Sequence, residues 1–418
     1  LSIDRPLLPF VPRLINGAGR LLAGAGVTPV RLDAEALLAA ACRSTRLDDF
    51  GGEEFRDGLD RLLASLEAEA RLTLLGRLVV REDLGLALRN RLRVQDWHAR
   101  HPEIAQEPVR RPIVIAGQGR TGTTILHELM ALDPANRVPL TWEVDDPVPP
   151  PERATYRTDP RIAASQAKLD RSESLIPDFK RMHRMGATLP QECVRITAMA
   201  FTSIVFAATW RVPGYTRWLL DDADLAPAYR LHRRTLQLLQ WRCPAERWVV
   251  KSPAHLWHLD ALREEYPDVC LVQTHRDPLK ILSSLTSLEV VLRSMASDAI
   301  DAPEIAREWS RWLTEGYDRA VDFRERKVLP PSQVIDVQFR DFVRDPVSEV
   351  RRIYDHFGLE LRLDVAAAMK DYVASNPSDR DGAHRHDFSA TGLDPDEERA
   401  RVTRYQRCFG VESEAVVA

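Results

Sequence analysis

Apolar residues recur at intervals of three and four over much of the first hundred positions. Leu59, Leu62, Leu63, Leu66 and Ala70 mark one stripe within 53–75, and Asp33-Ala34-Glu35-Ala36-Leu37-Leu38 opens another. That spacing gathers the side chains on one face of a helix, so residues 1–109 read as an N-terminal helical segment. The polar stretch 99–109, with Pro102 and Pro108, reads as a linker. The pattern then changes. Pro112-Ile113-Val114-Ile115-Ala116 is short, unbroken, rich in β-branched residues and closed by glycine, the signature of a strand buried on both faces. Helical periodicity follows over 123–132. A second short strand is expected over Arg137–Trp142, ending at Glu143, before prolines at 147, 149, 150 and 151. Residues 152–245 read as helical again. Strands return at 248–251, 269–274 and 333–337, with helices over 256–266 and 346–357.

Strand–helix–strand alternation implies a parallel sheet with right-handed crossovers. The expected fold is therefore α/β, a P-loop-like parallel β-sheet flanked by helices. Its core takes up 110–146 and 246–410, with the N-terminal segment 1–109 and a helical insertion over 150–245.

Composition narrows the function. With 44% apolar and 29% charged residues over 418 positions, a disordered or collagen-like chain is excluded. The net charge of −4 gives no bulk attraction to nucleic acid or anionic membrane, so any anion site must be local. The five cysteines, Cys42, Cys193, Cys243, Cys270 and Cys408, include no CxxC pair. This argues against a disulfide framework or zinc site and suits a reducing, cytoplasmic setting. Leu1-Ser2-Ile3-Asp4-Arg5-Pro6 carries no apolar signal core. The most apolar helical run, Ile196–Trp210, has 15 residues and is flanked by Arg195 and Arg211. It falls short of the ~20 needed to span a bilayer and reads as one buried helix. Abundant alanine, arginine and leucine suggest a GC-rich bacterial genome.

Gly117-Gln118-Gly119-Arg120-Thr121-Gly122-Thr123-Thr124 follows a strand and opens a helix. There, backbone N–H groups and the positive helix end can wrap a phosphate, and glycines permit close approach. The helix end alone contributes only ~0.3–2 kcal/mol, so a side-chain cation is needed, and Arg120 supplies it. The spacing matches Gly-x-x-x-x-Gly-Lys-Ser/Thr except that Thr123 stands in place of the lysine. No aspartate ends a later strand as an obvious Mg²⁺ partner, so no metal is expected. A second arginine, in His275-Arg276-Asp277-Pro278, follows the strand 269–274 and precedes Ser284 by eight residues. In open α/β sheets ligands sit beyond strand C-termini, and this arginine and hydroxyl can converge on one phosphate. Ser283 and Ser287 are alternatives.

Arg120-Thr121-Gly122-Thr123-Thr124 resembles the 5′-phosphosulfate loop of sulfotransferases that use 3′-phosphoadenosine 5′-phosphosulfate (PAPS), which reads Lys/Arg-Ser/Thr-Gly-Thr-Thr. Arg276 and Ser284 resemble that family's 3′-phosphate motif. Residues 248–278, Leu189-Pro190-Gln191-Glu192-Cys193 and Phe357-Gly358-Leu359 look like the bacterial branch. The likeness covers 110–410 and leaves the first hundred residues without an assignable motif. It implies PAPS as sulfuryl donor, bound by Gly119, Arg120, Thr121, Gly122, Thr123 and Thr124 at one phosphate and by Arg276 and Ser284 at the other. It also implies a late basic loop, to which Arg380, Gly382 and Arg385 correspond. Two departures leave the adenine contact open. Ile125 stands where many members have tryptophan, and Phe339-Arg340-Asp341 replaces a Tyr-Glu-Asp segment.

Sulfuryl transfer is an in-line displacement in which the protein mainly positions groups and supplies cations. Arg120 and Lys251 are the candidate charge stabilisers, the resemblance placing Lys251 near the bridging oxygen. Glu143 is the first candidate for the base that takes the acceptor's proton, and His255 is its rival, ahead of His127 and His183. His255 and His258 alone make a poor metal pair. Glu192 fits either an acceptor contact or a buried ion pair. The acceptor is expected to be a small or lipid-like hydroxyl compound, roofed by Phe201, Ile204, Val205, Phe206 and Trp210 of the insertion. A nucleotide kinase or hydrolase would need a lysine at 123, and a non-catalytic nucleotide-binding protein could keep the same loops. The sequence leaves a homo-oligomer open.

Overall fold

The computed structural model describes residues 8–175, 184–376 and 388–416. Five strands form one sheet: β1 (Ile113–Ala116), β2 (Asn136–Arg137), β3 (Arg247–Ser252), β4 (Cys270–His275) and β5 (Val334–Gln338). Their order is β2-β3-β1-β4-β5, and every neighbouring pair is parallel. The register sets Ile115 beside Lys251 and Ala116 beside Ser252 and Gln273, so the C-terminal ends of three central strands meet at one edge.

Both faces of the sheet are covered, which is why β1 is apolar throughout and β4 is apolar over Cys270–Val272. On one face Ile113, Ile115, Val249 and Val272 pack against Leu126, Leu129, Ile353 and Tyr354. On the other, Val114, Val250 and Leu271 join a larger core built with the N-terminal helices and the insertion. Helix Phe55–Ala68 presses so closely on the insertion that a Cβ at Gly58 would lie 2.4 Å from the Phe201 carbonyl oxygen. Residues 99–109 are no loose linker. Helix Leu74–Arg100 runs into the 3₁₀ turn Pro102–Gln106, Ile104 and Val109 are buried, and Gln237 donates to the carbonyls of Ala105 and Glu107. A proline at the start of a helical turn is harmless because its missing N–H would have no partner there.

Two further expectations fail for local reasons. The strand expected over 137–142 stops at Arg137. Pro139 lacks an N–H for the sheet, and residues 139–142 bond instead to the insertion through Gln191 N to Pro139 O (2.7 Å), Thr141 N to Leu189 O and Trp142 N to Ala187 O. Thr141–Asp145 is then a helical turn. The single helix expected over 196–210 is broken into Cys193–Thr197, the 3₁₀ turn Ala198–Ala200 and Val205–Thr209, with Phe201 in the left-handed region at φ 56°. Here side chains compete for the helix's own backbone groups. Ser203 Oγ donates to Val194 O (2.7 Å), and Tyr215 Oη donates to Phe201 O (2.9 Å). Among the described residues no helix is long and apolar enough to cross a membrane.

Candidate active site

The loop after β1 is shaped by close contact with the end of β4. A Cβ on Gly117 would lie 1.9 Å from Thr274 Oγ1, so only glycine fits. Thr121 Oγ1 donates to Gln118 O (2.7 Å) and lies 2.6 Å from Thr274 Oγ1, tying the loop to β4. Arg120 (φ 73°) and Gly122 (φ 84°) both adopt left-handed backbone, and Gly122 caps the helix Thr123–Met130. A Cβ at Gly122 would meet Phe342 at 2.9 Å and Phe339 at 3.5 Å.

Arg276 closes on this loop from the end of β4. It donates through Nη1 to Arg120 O at 3.0 Å, and its guanidinium lies over the Phe339 ring, 4.0 Å from the centroid. Burial, together with the positive charge of Arg276, lowers the Arg120 guanidinium pKa below its ordinary value. Two cations crowded at the loop of a helix N-terminus favour an anion between them. In this structure a carboxylate already engages Arg276. Glu414 accepts from its Nε (2.8 Å) and Nη2 (3.1 Å), while Glu414 N donates to Asp277 Oδ2 at 2.6 Å. Asp277 also caps the helix Pro278–Ser294 and pairs with Arg399. Ser284 is buried two turns into that helix, which meets the loop where a Cβ at Gly119 would sit 3.5 Å from Leu285. Ser283 Oγ is buried with no protein partner, whereas Ser287 Oγ is spent on Ser283 O.

Lys251, one residue before the end of β3, is buried and ion-paired with Glu192. The pairing of 139–142 with 187–191 is what delivers Glu192 there. Nearby, burial and the Lys251 charge push the His127 imidazole down to about 3, while its Nε2 meets Val249 O. His255 lies in the 3₁₀ turn Pro253–Trp257 that follows β3. Its Nδ1 is 2.8 Å from Tyr229 Oη, and its Nε2 is buried without a protein partner. Burial holds His255 well below the usual imidazole range, assisted by the charges of His232 and His258. It is therefore neutral near pH 7, with one ring nitrogen uncommitted.

Glu143, the first candidate for the base, sits in an enclosed hydrogen-bond network. It is fully buried, and its carboxylate accepts from Arg137, from Leu140 N (3.0 Å) and from Tyr156 Oη (3.1 Å). The carboxylate closes the Thr141–Asp145 turn and pairs with buried Arg137, so both oxygens already accept hydrogen bonds. Arg380, Gly382, Arg385 and His183 lie outside the described residues. The structure thus brings together Gly119–Thr124, Arg276, Ser284 and Phe339 at one end of the sheet, with Lys251 near the end of the neighbouring strand β3 and His255 in the turn after it. Glu414 and Tyr229 escaped the sequence reading. The acidic Glu412-Ser413-Glu414 was the only visible hint of the former, and no spacing links Tyr229 to His255. No group of three or more potential metal ligands occurs among the described residues.

A parallel sheet with an arginine-bearing glycine loop after one strand and a second arginine after its neighbour defines a P-loop-like α/β protein. The chain belongs to the sulfotransferase family, whose profile matches residues 112–363, more than half of its length. It is 26% identical over 268 residues to omega-hydroxy-beta-dihydromenaquinone-9 sulfotransferase Stf3 of Mycobacterium bovis and of Mycobacterium tuberculosis. That match covers 59% of this chain and 63% of theirs, so the chain spans less than two thirds of these curated relatives. Among solved structures, sulfotransferase STF1 from Mycobacterium tuberculosis H37Rv is 32% identical, with a TM-score of 0.80, covering 90% of this chain and 99% of that one. Sulfotransferase STF9 from Mycobacterium avium is 29% identical, with a TM-score of 0.84, covering 93% and 99%.

Proposed function

We propose that this protein transfers the sulfuryl group of PAPS to a hydroxyl of a small or lipid-like acceptor by in-line displacement. One observation carries the reading. Arginines from two adjacent strand ends meet at one glycine loop, Arg276 Nη1 resting on Arg120 O at 3.0 Å. The residues fit a doubly phosphorylated nucleotide. Gly117 and Gly122 let the loop close, Arg120 and Arg276 supply charge, and the Glu414 carboxylate already sits on Arg276 as a second anion would. In this reading Gly119, Arg120, Thr121, Gly122, Thr123 and Thr124 hold the 5′-phosphosulfate, and Arg276 and Ser284 hold the 3′-phosphate. Arg380, Gly382 and Arg385 are assigned to the same phosphate by family likeness alone.

Lys251 stabilises charge building on the leaving phosphate. His255 Nε2 takes the acceptor's proton, because it is a ring nitrogen with no protein partner, whereas both Glu143 oxygens already accept hydrogen bonds. The named reaction of the Stf3 relatives supports a lipid-like acceptor, and five cysteines free of disulfides suit a reducing cytoplasm. The test is to incubate the protein with PAPS and a panel of phenols, sterols and long-chain alcohols in EDTA. Sulfated product that disappears with Arg120→Ala is expected. No product, together with no calorimetric heat from adenosine 3′,5′-bisphosphate, would overturn the assignment.

A further inference from the structure

Outside the glycine loop, three arginines line one cleft of about 120 Å³. It lies between helix Leu74–Arg100, residues 50–54 and helix Ala226–Gln240 of the insertion. Arg91, Arg230 and Arg234 stand on its walls, with Glu54 as the one carboxylate among them. None of the residues assigned to the nucleotide or to transfer lies on those walls.

Arg91 is the informative member. It is 7% exposed, donates Nε to Phe50 O at 2.8 Å and Nη1 to Met199 O at 3.3 Å, and lies over the Phe55 ring, 4.4 Å from the centroid. These contacts fix the guanidinium without neutralising it. Among the described residues no carboxylate pairs with Arg91, and its Nη2 makes no hydrogen bond. Arg234 donates Nη2 to Gln95 Oε1 at 2.6 Å and likewise has no carboxylate partner among the described residues. Arg230 has only Glu54, 3.8 Å away, and both side chains are more than half exposed, so that pair is weak. The other acids nearby are engaged elsewhere. Asp49 accepts from Gly51 N (2.8 Å) and Gln95 Nε2 (2.9 Å), and Glu53 pairs with Arg56.

A buried charge is normally paired. Here burial, reinforced by the charge of Arg234 and partly offset by Glu54, pushes the Arg91 guanidinium down to about 10, and burial lowers Arg234 as well. An anion seated among the three guanidinium groups relieves both. Pro227, in the first turn of helix Ala226–Gln240, is also on the wall, which adds the positive end of that helix. A single water needs only about 10–15 Å³ of such space. The cleft therefore has room for the four oxygens of a tetrahedral oxyanion.

We propose that this cleft is a second anion site, which takes a phosphate or sulfate group, free or at the end of an ester, and bridges Arg91 of the N-terminal segment to Arg230 and Arg234 of the insertion. The proposal goes beyond sulfuryl transfer and does not rest on it.

The test is equilibrium dialysis of the full chain against radiolabelled phosphate at constant ionic strength, with excess adenosine 3′,5′-bisphosphate to fill the transfer loop. A single saturable site is expected. Arg230→Gln combined with Arg234→Gln should weaken it about tenfold or more, the usual result of losing charge-assisted hydrogen bonds. Arg91 is left intact because it also holds two carbonyls. Glu54→Gln removes the opposing charge and should tighten binding about threefold, a gain that misfolding cannot produce. Displacement of the label by excess phenyl phosphate shows that an ester fits, whereas a label that stays assigns the site to the free ion, and either result upholds the oxyanion site. Phosphate binding that is absent, or equal in the parent chain and the variants, overturns the proposal. Bisphosphate binding, measured by calorimetry on the same samples, keeps that outcome separate from the fate of the sulfuryl-transfer reading.

Discussion

If Arg276 holds the 3′-phosphate, Glu414 competes with it. The Glu414 carboxylate grips Arg276 through two hydrogen bonds, and its own amide is anchored on Asp277. The side chains are 22% and 37% exposed, so the pair is screened by water and must be discounted from the value of an enclosed one. Exposed pairs contribute ~0.2–1 kcal/mol, and the forked geometry puts this one near the upper end. Glu414→Gln removes the charge and keeps the shape. It leaves Arg276 facing Arg120, whose guanidinium already feels that positive charge, and so raises the demand for an incoming anion. A release of about 1 kcal/mol corresponds to about fivefold tighter binding of adenosine 3′,5′-bisphosphate. Titration calorimetry at low ionic strength reads this directly. The gain should shrink in 0.5 M salt, where exposed charges are screened within a few ångströms. Glu412→Gln serves as the control, because Glu412 pairs with exposed Arg340 and should leave affinity unchanged. Weaker binding by Glu414→Gln would refute the argument, since it would mean that Glu414 aims Arg276 rather than shielding it.

Other consequences follow from the same geometry. Gly117→Ala should abolish bisphosphate binding, because its Cβ would fall 1.9 Å from Thr274 Oγ1, and adding Thr274→Ala should restore part of it by calorimetry. Glu143→Gln should cost about 3 kcal/mol of stability in urea unfolding, the typical result of leaving a buried cation such as Arg137 unpaired. Its kcat per folded molecule should not change, and a kcat loss without a stability loss would return Glu143 to the chemistry. Acid should destabilise the fold well before carboxylates titrate. Burial holds the imidazoles of His98 and His232 down to about 4 and that of His127 to about 3. Each stays neutral when folded but takes a proton when unfolded below its ordinary value near 6.5. The unfolded state therefore binds more protons, and stability is lost as pH falls from about 6.5 toward 4, by up to about 1.4 kcal/mol per pH unit per histidine. A Tm by circular dichroism that is the same at pH 7.5 and pH 5 would contradict this.

Much of the sheet was legible because a strand buried on both faces must be apolar at every position. Ile113–Ala116, Trp248–Val250 and Cys270–Val272 could hardly have read otherwise. The glycine loop after β1 was legible for a related reason, since close backbone approach demands glycine at fixed offsets. What misled the reading was polar residues whose partners lie far along the chain. Glu143 looked like a strand-end acid, but its role is set by Arg137 and Tyr156, one at the end of a two-residue strand and the other past the proline cluster. Glu192 reaches Lys251 only because Pro139 cannot bond within the sheet and residues 187–191 take over its neighbours. Tyr229 meets His255 from a helix of the insertion, 26 residues away. Local patterning records which groups must avoid water and where the backbone must bend. The assignment of an acid, a base or a positioning partner depends on which two such groups the fold sets within 3 Å, and that information belongs to pairs. The proposed transfer chemistry therefore rests on Lys251 and His255 as the fold presents them. Glu143, the other candidate for the base, is held by hydrogen bonds from Arg137, Leu140 and Tyr156.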